Sequence, residues 1–117
     1  DPLGVTAAFN KNLLLRLNTE LGANFDISAF EHRAIWNDEA SRVEMHLTSR
    51  LGHDVTIPGP AGPLHFTLGA GESIWTESSY KYQPDAFSAL VESAGFESRM
   101  RWIADDARYL LTLFERA

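Results

Sequence analysis

Apolar residues first recur at helical spacing. Leu13, Leu14, Leu17 and Leu21 gather on an arc of about 100° of a helical wheel, with Lys11, Asn12 and Thr19 largely opposite. The spacing predicts a helix over 7–21, with Thr6 as its N-cap and Gly22 just past its end. Asn10 falls in the middle of the apolar arc. It is either a satisfied interior amide or an amide turned into a substrate pocket.

Beyond Gly22 a short turn or helix leads to Phe30, and the period changes to two. His32, Ala34 and Trp36 alternate with Glu31, Arg33 and Ile35, and Asn37-Asp38-Glu39 reads as a hairpin turn. On the returning run Val43, Met45 and Leu47 take one face while Arg42, Glu44, His46 and Thr48 take the other, the pattern of a half-buried antiparallel strand. Val55 with Ile57, then Leu64, Phe66 and Leu68, predict two more strands around the irregular loop Pro58-Gly59-Pro60-Ala61-Gly62-Pro63. Gly69-Ala70-Gly71-Glu72 reads as a hairpin turn rather than a nucleotide cradle, because strand period, not a helix, follows it. Pro84 suits the first position of a helix with a Phe87, Leu90, Val91 stripe that Gly95 ends. Two closing strands, 96–103 and 108–115, form a final hairpin. Tyr109, Leu111 and Leu113 alternate with Leu110, Thr112 and Phe114, so the last strand is apolar on both faces, as in the interior of a larger covered sheet.

The stretch from Gly71 to Tyr82 concentrates the polar chemistry. In a regular strand Ser73, Trp75, Glu77 and Ser79 share one face, and Ile74, Thr76, Ser78 and Tyr80 the other. Glu77 and Ser79 then stand roughly 7 Å apart, within reach of one small nitrogenous ring. Read alone, Glu77 is more readily a solvated strand residue and Met45 a core filler than members of a pocket.

Composition narrows the function. The chain has 117 residues, 44% of them hydrophobic, enough for one modest core, which favours one compact unit. Ten Lys and Arg against sixteen Asp and Glu leave a net charge of −6, which argues against a nucleic-acid partner. The absence of cysteine excludes disulfides and fits a cytoplasmic protein. Apolar runs are too short to span a membrane, and Asp1-Pro2-Leu3-Gly4 lacks the features of an export signal and reads like a cut. His32, His46, His53 and His65 lack metal-site spacing, and no Gly-x-Ser-x-Gly elbow is present.

Four stretches, Thr6-Ala7-Ala8-Phe9-Asn10-Lys11-Asn12, Glu31-His32-Arg33-Ala34-Ile35-Trp36-Asn37, Arg42-Val43-Glu44-Met45-His46-Leu47 and Thr76-Glu77-Ser78-Ser79-Tyr80-Lys81-Tyr82, carry an ordered resemblance over essentially all of the chain. It resembles the histidine-specific methyltransferases that use S-adenosylmethionine and open the ergothioneine pathway. The family's enzymes are much longer, so the resemblance implies their C-terminal portion. It implies an α+β fold: an N-terminal helix, an antiparallel sheet of about five strands, then a helix and a final hairpin that would complete a class I methyltransferase sheet. Residues 1–79 would be the substrate-recognition region and 80–117 the closing helix and last strands.

By resemblance, Met45 lines the amino-acid pocket and Glu77 and Ser79 contact the imidazole. Phe9 and Trp75 are further candidates, either pocket walls or core residues. A carboxylate at one ring N–H and a hydroxyl at the other nitrogen would read a neutral imidazole from both sides; an indole satisfies only half of that. The implied reaction is in-line methyl transfer to the α-amino group of L-histidine, which needs alignment and a free amine lone pair. The implied cofactor is S-adenosylmethionine, bound mainly by the missing N-terminal part, so the fragment alone would be inactive. The expected partner is a small-molecule amino acid, with no nucleic acid and no membrane. Self-association of the fragment through its closing strand is a further expectation. The alternative is a stand-alone, non-catalytic module that binds a small ligand or a protein.

Overall fold

The structure is a computed structural model that describes residues 3–117. Length alone favours one compact unit, yet the contacts gather into two, Asp1–Tyr80 and Lys81–Ala117.

In the first unit, helix α1 (Val5–Leu21) starts earlier than the Thr6 N-cap expected from the sequence, and Thr6 lies inside its first turn. Gly4 is the cause. At φ 67° it takes the left-handed conformation that glycine adopts without steric cost, and its carbonyl accepts from Ala8 N–H at 2.9 Å. Gly22, at φ 73°, closes the other end, and Ala23 N–H turns back to the Leu17 carbonyl. Of the expected apolar arc, Leu14 is buried and Leu17 packs on the core, whereas Leu13 and Leu21 are exposed.

A single 3-10 turn, Ile27–Ala29, delivers the chain to β1 (Phe30–Asn37), and a tight turn returns it as β2 (Arg42–Ser49). Asn37 Oδ1 accepts from Ala40 N–H and holds that turn. The chain continues through β3 (His53–Ile57), β4 (Leu64–Leu68) and β5 (Ser73–Tyr80). The fold class is α+β, as the pattern indicates, but the five strands make two sheets: β1-β2-β5 and the hairpin β3-β4, antiparallel throughout. With β1 and β5 on its two sides, β2 has no edge left for β3. Ser49 Oγ donates to the Leu51 carbonyl and Arg50 N–H to Ala29, which turns the chain out of the sheet.

The Gly69–Glu72 segment is therefore a turn between sheets, not the hairpin turn expected. Glu72 N–H bonds the Gly69 carbonyl, and Gly71, at φ 87°, donates to Ser49. Between the sheets and α1 lies the core of Leu14, Phe25, Phe30, Leu47, Val55 and Leu68. Each such side chain stabilises the unit by about 1.5–3 kcal/mol on burial.

The second unit holds α2 (Pro84–Glu92), β6 (Phe96–Ala104) and β7 (Tyr109–Arg116). Pro84 stands at the helix start, Gly95 has φ 95°, and β6 and β7 pair antiparallel, as the sequence indicates. Phe87 packs edge-on against Phe114, and Arg101 donates to Asp85. The opposite face of the hairpin carries Met100, Trp102, Leu111 and Leu113, all about half exposed.

Candidate functional site

The site is built by the pairing of β2 with β5. Arg42 to Met45 face Tyr80 to Glu77 in register, and His46 to Thr48 face Trp75 to Ser73, so Thr76 is an extra residue between two regular stretches. It is a β-bulge. Directly paired residues share a face and successive residues alternate, so Met45 and Glu77 point one way and His46 and Trp75 the other. The expectation that Trp75 shares a face with Glu77 and Ser79 is thus wrong, because the bulge shifts the alternation by one residue.

Glu77 and Ser79 remain together. Opposite Met45 and Val43 respectively, they share a face with both. That face also carries the buried Leu47 of the core and the half-buried Ile74 packed against it, and α1 covers its Leu47 end. Toward Met45 it opens: Met45, Val43 and Ser79 are half-buried, and Glu77 is exposed. The carboxylate, hydroxyl and thioether therefore line the open end of a face whose other end is core. Phe9 projects from α1 at 68% exposure, so it is a surface side chain here.

Asn10 lies where the covered and open parts meet. It is buried, and its amide is satisfied on both sides. Nδ2 donates to the His46 carbonyl at 3.2 Å and to His32 Nδ1 at 2.9 Å, and Oδ1 accepts from the Thr76 hydroxyl at 2.6 Å. Of the two alternatives for Asn10, the structure shows the satisfied interior amide.

The other face of β2-β5 is a closed polar and aromatic network. Glu44 is buried and accepts from Asn37, Arg42 and His46. Those three donors hold its carboxyl at about 2, well below the ordinary 4.5. The Arg42 guanidinium lies 4.4 Å from the Trp75 ring centroid and donates to Tyr80 Oη, while His46 stacks on Trp75. These groups satisfy one another. The sequence signal for this network was the run of Arg42, Glu44 and His46 on one strand face; no signal marked Thr76 as a bulge.

A shallow groove on the β3-β4 hairpin lies elsewhere, and its polar groups pair across the strands, Thr56 with His65 and Thr67 with Asp54. Among the described residues, no group of His, Asp or Glu is arranged to hold a metal ion, and no helix is long and apolar enough to cross a membrane.

The model of the family described as histidine-specific methyltransferase, SAM-dependent, matches residues 1–116. The chain belongs to that family. It is 40% identical over 116 residues to the histidine N-alpha-methyltransferase of Mycolicibacterium smegmatis, a match covering 99% of this chain and 36% of that protein. To the protein of the same name from Mycobacterium tuberculosis it is 43% identical over 109 residues, 92% of this chain and 32% of that one. Ergothioneine biosynthesis protein 1 of Schizosaccharomyces pombe is 26% identical over 116 residues, 14% of its own length. The chain thus spans about a third of the length of the two bacterial relatives.

Proposed function

We propose that this chain is the amino-acid-recognising, C-terminal part of an S-adenosylmethionine-dependent methyltransferase acting on the α-amino group of L-histidine. The observation that carries the reading is the register of β2 and β5, which sets Glu77 opposite Met45 with Ser79 on the same face. The Glu77 carboxylate accepts a hydrogen bond from one imidazole N–H, the Ser79 hydroxyl serves the other ring nitrogen, and the Met45 thioether closes the wall. An amino acid without a ring nitrogen on each side leaves one of these groups unpaired, and discrimination follows.

What these residues do is bind and orient. The Gly-rich turn at residues 69–71 joins strand to strand and opens no helix, so it does not fit as a cradle for the methyl donor. S-adenosylmethionine would be held mainly by the portion of the relatives' length that this chain does not span. By the same reading the 117 residues alone bind without turnover, act in the cytoplasm, and self-associate through the exposed face of β6-β7.

Titration calorimetry on the full-length protein tests the assignment. Glu77→Ala is expected to weaken histidine binding by about tenfold or more, the cost of a lost charge-assisted hydrogen bond. Unchanged histidine affinity sinks the reading and favours a module with another ligand.

A further inference from the structure

We propose that Thr76 and Asn10 are positioning residues that set which face of β5 presents Glu77 and Ser79. This rests on the reading of Glu77 and Ser79 given above. Alternation along a regular strand would place Trp75, Glu77 and Ser79 on one face. Trp75 stacks on His46 and lies beneath the Arg42 guanidinium, so that face is already filled. Only an extra residue between Trp75 and Glu77 lets the indole stay there while the carboxylate turns to Met45, and Thr76 is that residue.

The bulge is held from both sides of the sheet. On the α1 side the Thr76 hydroxyl lies 2.6 Å from Asn10 Oδ1 and 3.0 Å from the Met45 carbonyl, its single proton shared between them. Asn10 Nδ2 donates to the His46 carbonyl, so the carbonyls of both residues flanking the register shift receive a side-chain donor. On the far side the Trp75 indole N–H donates to the Glu77 carbonyl at 3.1 Å, bridging the extra residue. The His46 carbonyl also decides the orientation of Asn10: only its amide N–H₂ can face that oxygen, which leaves Oδ1 for Thr76. The helix thereby dictates, through one buried amide, where two side chains of a distant strand point.

Kinetics of the full-length enzyme test this with four variants. Thr76→Val keeps the shape and removes the hydroxyl; it is expected to raise the histidine KM on the order of tenfold and change kcat less, because binding geometry rather than the reacting atoms is disturbed. Thr76→Ser keeps the hydroxyl and is expected to stay within about twofold of the parent. Trp75→Phe keeps an aromatic ring but loses the indole N–H that bridges to the Glu77 carbonyl, and a smaller KM increase is expected. Glu77→Gln serves as the control on the underlying assignment. If Glu77→Gln raises KM and Thr76→Val does not, the positioning role is wrong while the recognition reading stands. If Glu77→Gln is itself without effect, the recognition reading has failed. Should Thr76→Val not fold, Thr76→Ser carries the test: a tenfold rise in KM at an unchanged melting temperature overturns the proposal.

Discussion

Glu44 shows how neighbours decide what one side chain does. A lone glutamate on a strand face titrates near 4.5, but three donors hold this one at about 2. Its folded value lies below its unfolded value, so its stabilising contribution is full above about pH 4.5 and is lost as the pH falls through the folded value. Glu44→Gln is therefore expected to flatten the acid limb of a melting-temperature profile between pH 4.5 and about 2 and to leave its alkaline side alone; an acid limb identical to the parent's would show that the three donors do not stabilise the fold. At this scale the sequence was informative about chemistry and less so about direction. Met45, Glu77 and Ser79 stand in recognisable motifs, and the register puts them on one face. Trp75 lies on the face opposite to the one strand alternation predicts, because a bulge depends on what lies across the strand and has no signature in the residue itself.

Elements were legible wherever local chemistry ends them. Gly22 and Pro84 marked a helix end and a helix start. Gly22 sits at φ 73°, and a Cβ there would meet only Pro58 at 3.6 Å, so the penalty of Gly22→Ala is conformational rather than a clash. The substitution is expected to cost about 1 kcal/mol, a drop of about 5 °C in melting temperature for a unit of this size. No loss on thermal unfolding would mean that the helix ends elsewhere in solution. The start of α1 was less legible, since a glycine that permits an early entry looks in sequence like any loop glycine. Strand existence was likewise readable from period two, whereas strand partnership was not. That β3 and β4 leave the first sheet follows from β2 having both edges taken, a fact about neighbours far apart in the chain.

At the scale of the whole molecule the two units differ in how well they bury themselves. The first has a core with Phe30, Leu47 and Val55 at 0% exposure, whereas every residue of β6 is exposed. Met100, Trp102, Leu111 and Leu113 share one uncovered face of a two-stranded hairpin, and both of its edges are unpaired within the described residues. Such a face favours association. Sedimentation of the 117-residue chain is expected to show species larger than the monomer that are lost on Trp102→Lys. Monomer alone at high concentration would contradict it.

The sequence by itself determined the elements and the chemistry they carry, because helix and strand periods, turn residues and motif side chains are properties of neighbours along the chain. Tertiary structure decided which strands share a sheet, that α1 grips β5 through Asn10 and Thr76, and which way Trp75 turns from Glu77. Those outcomes are set by the competition of distant groups for one edge, one amide and one face, and the order of residues along the chain does not contain that competition.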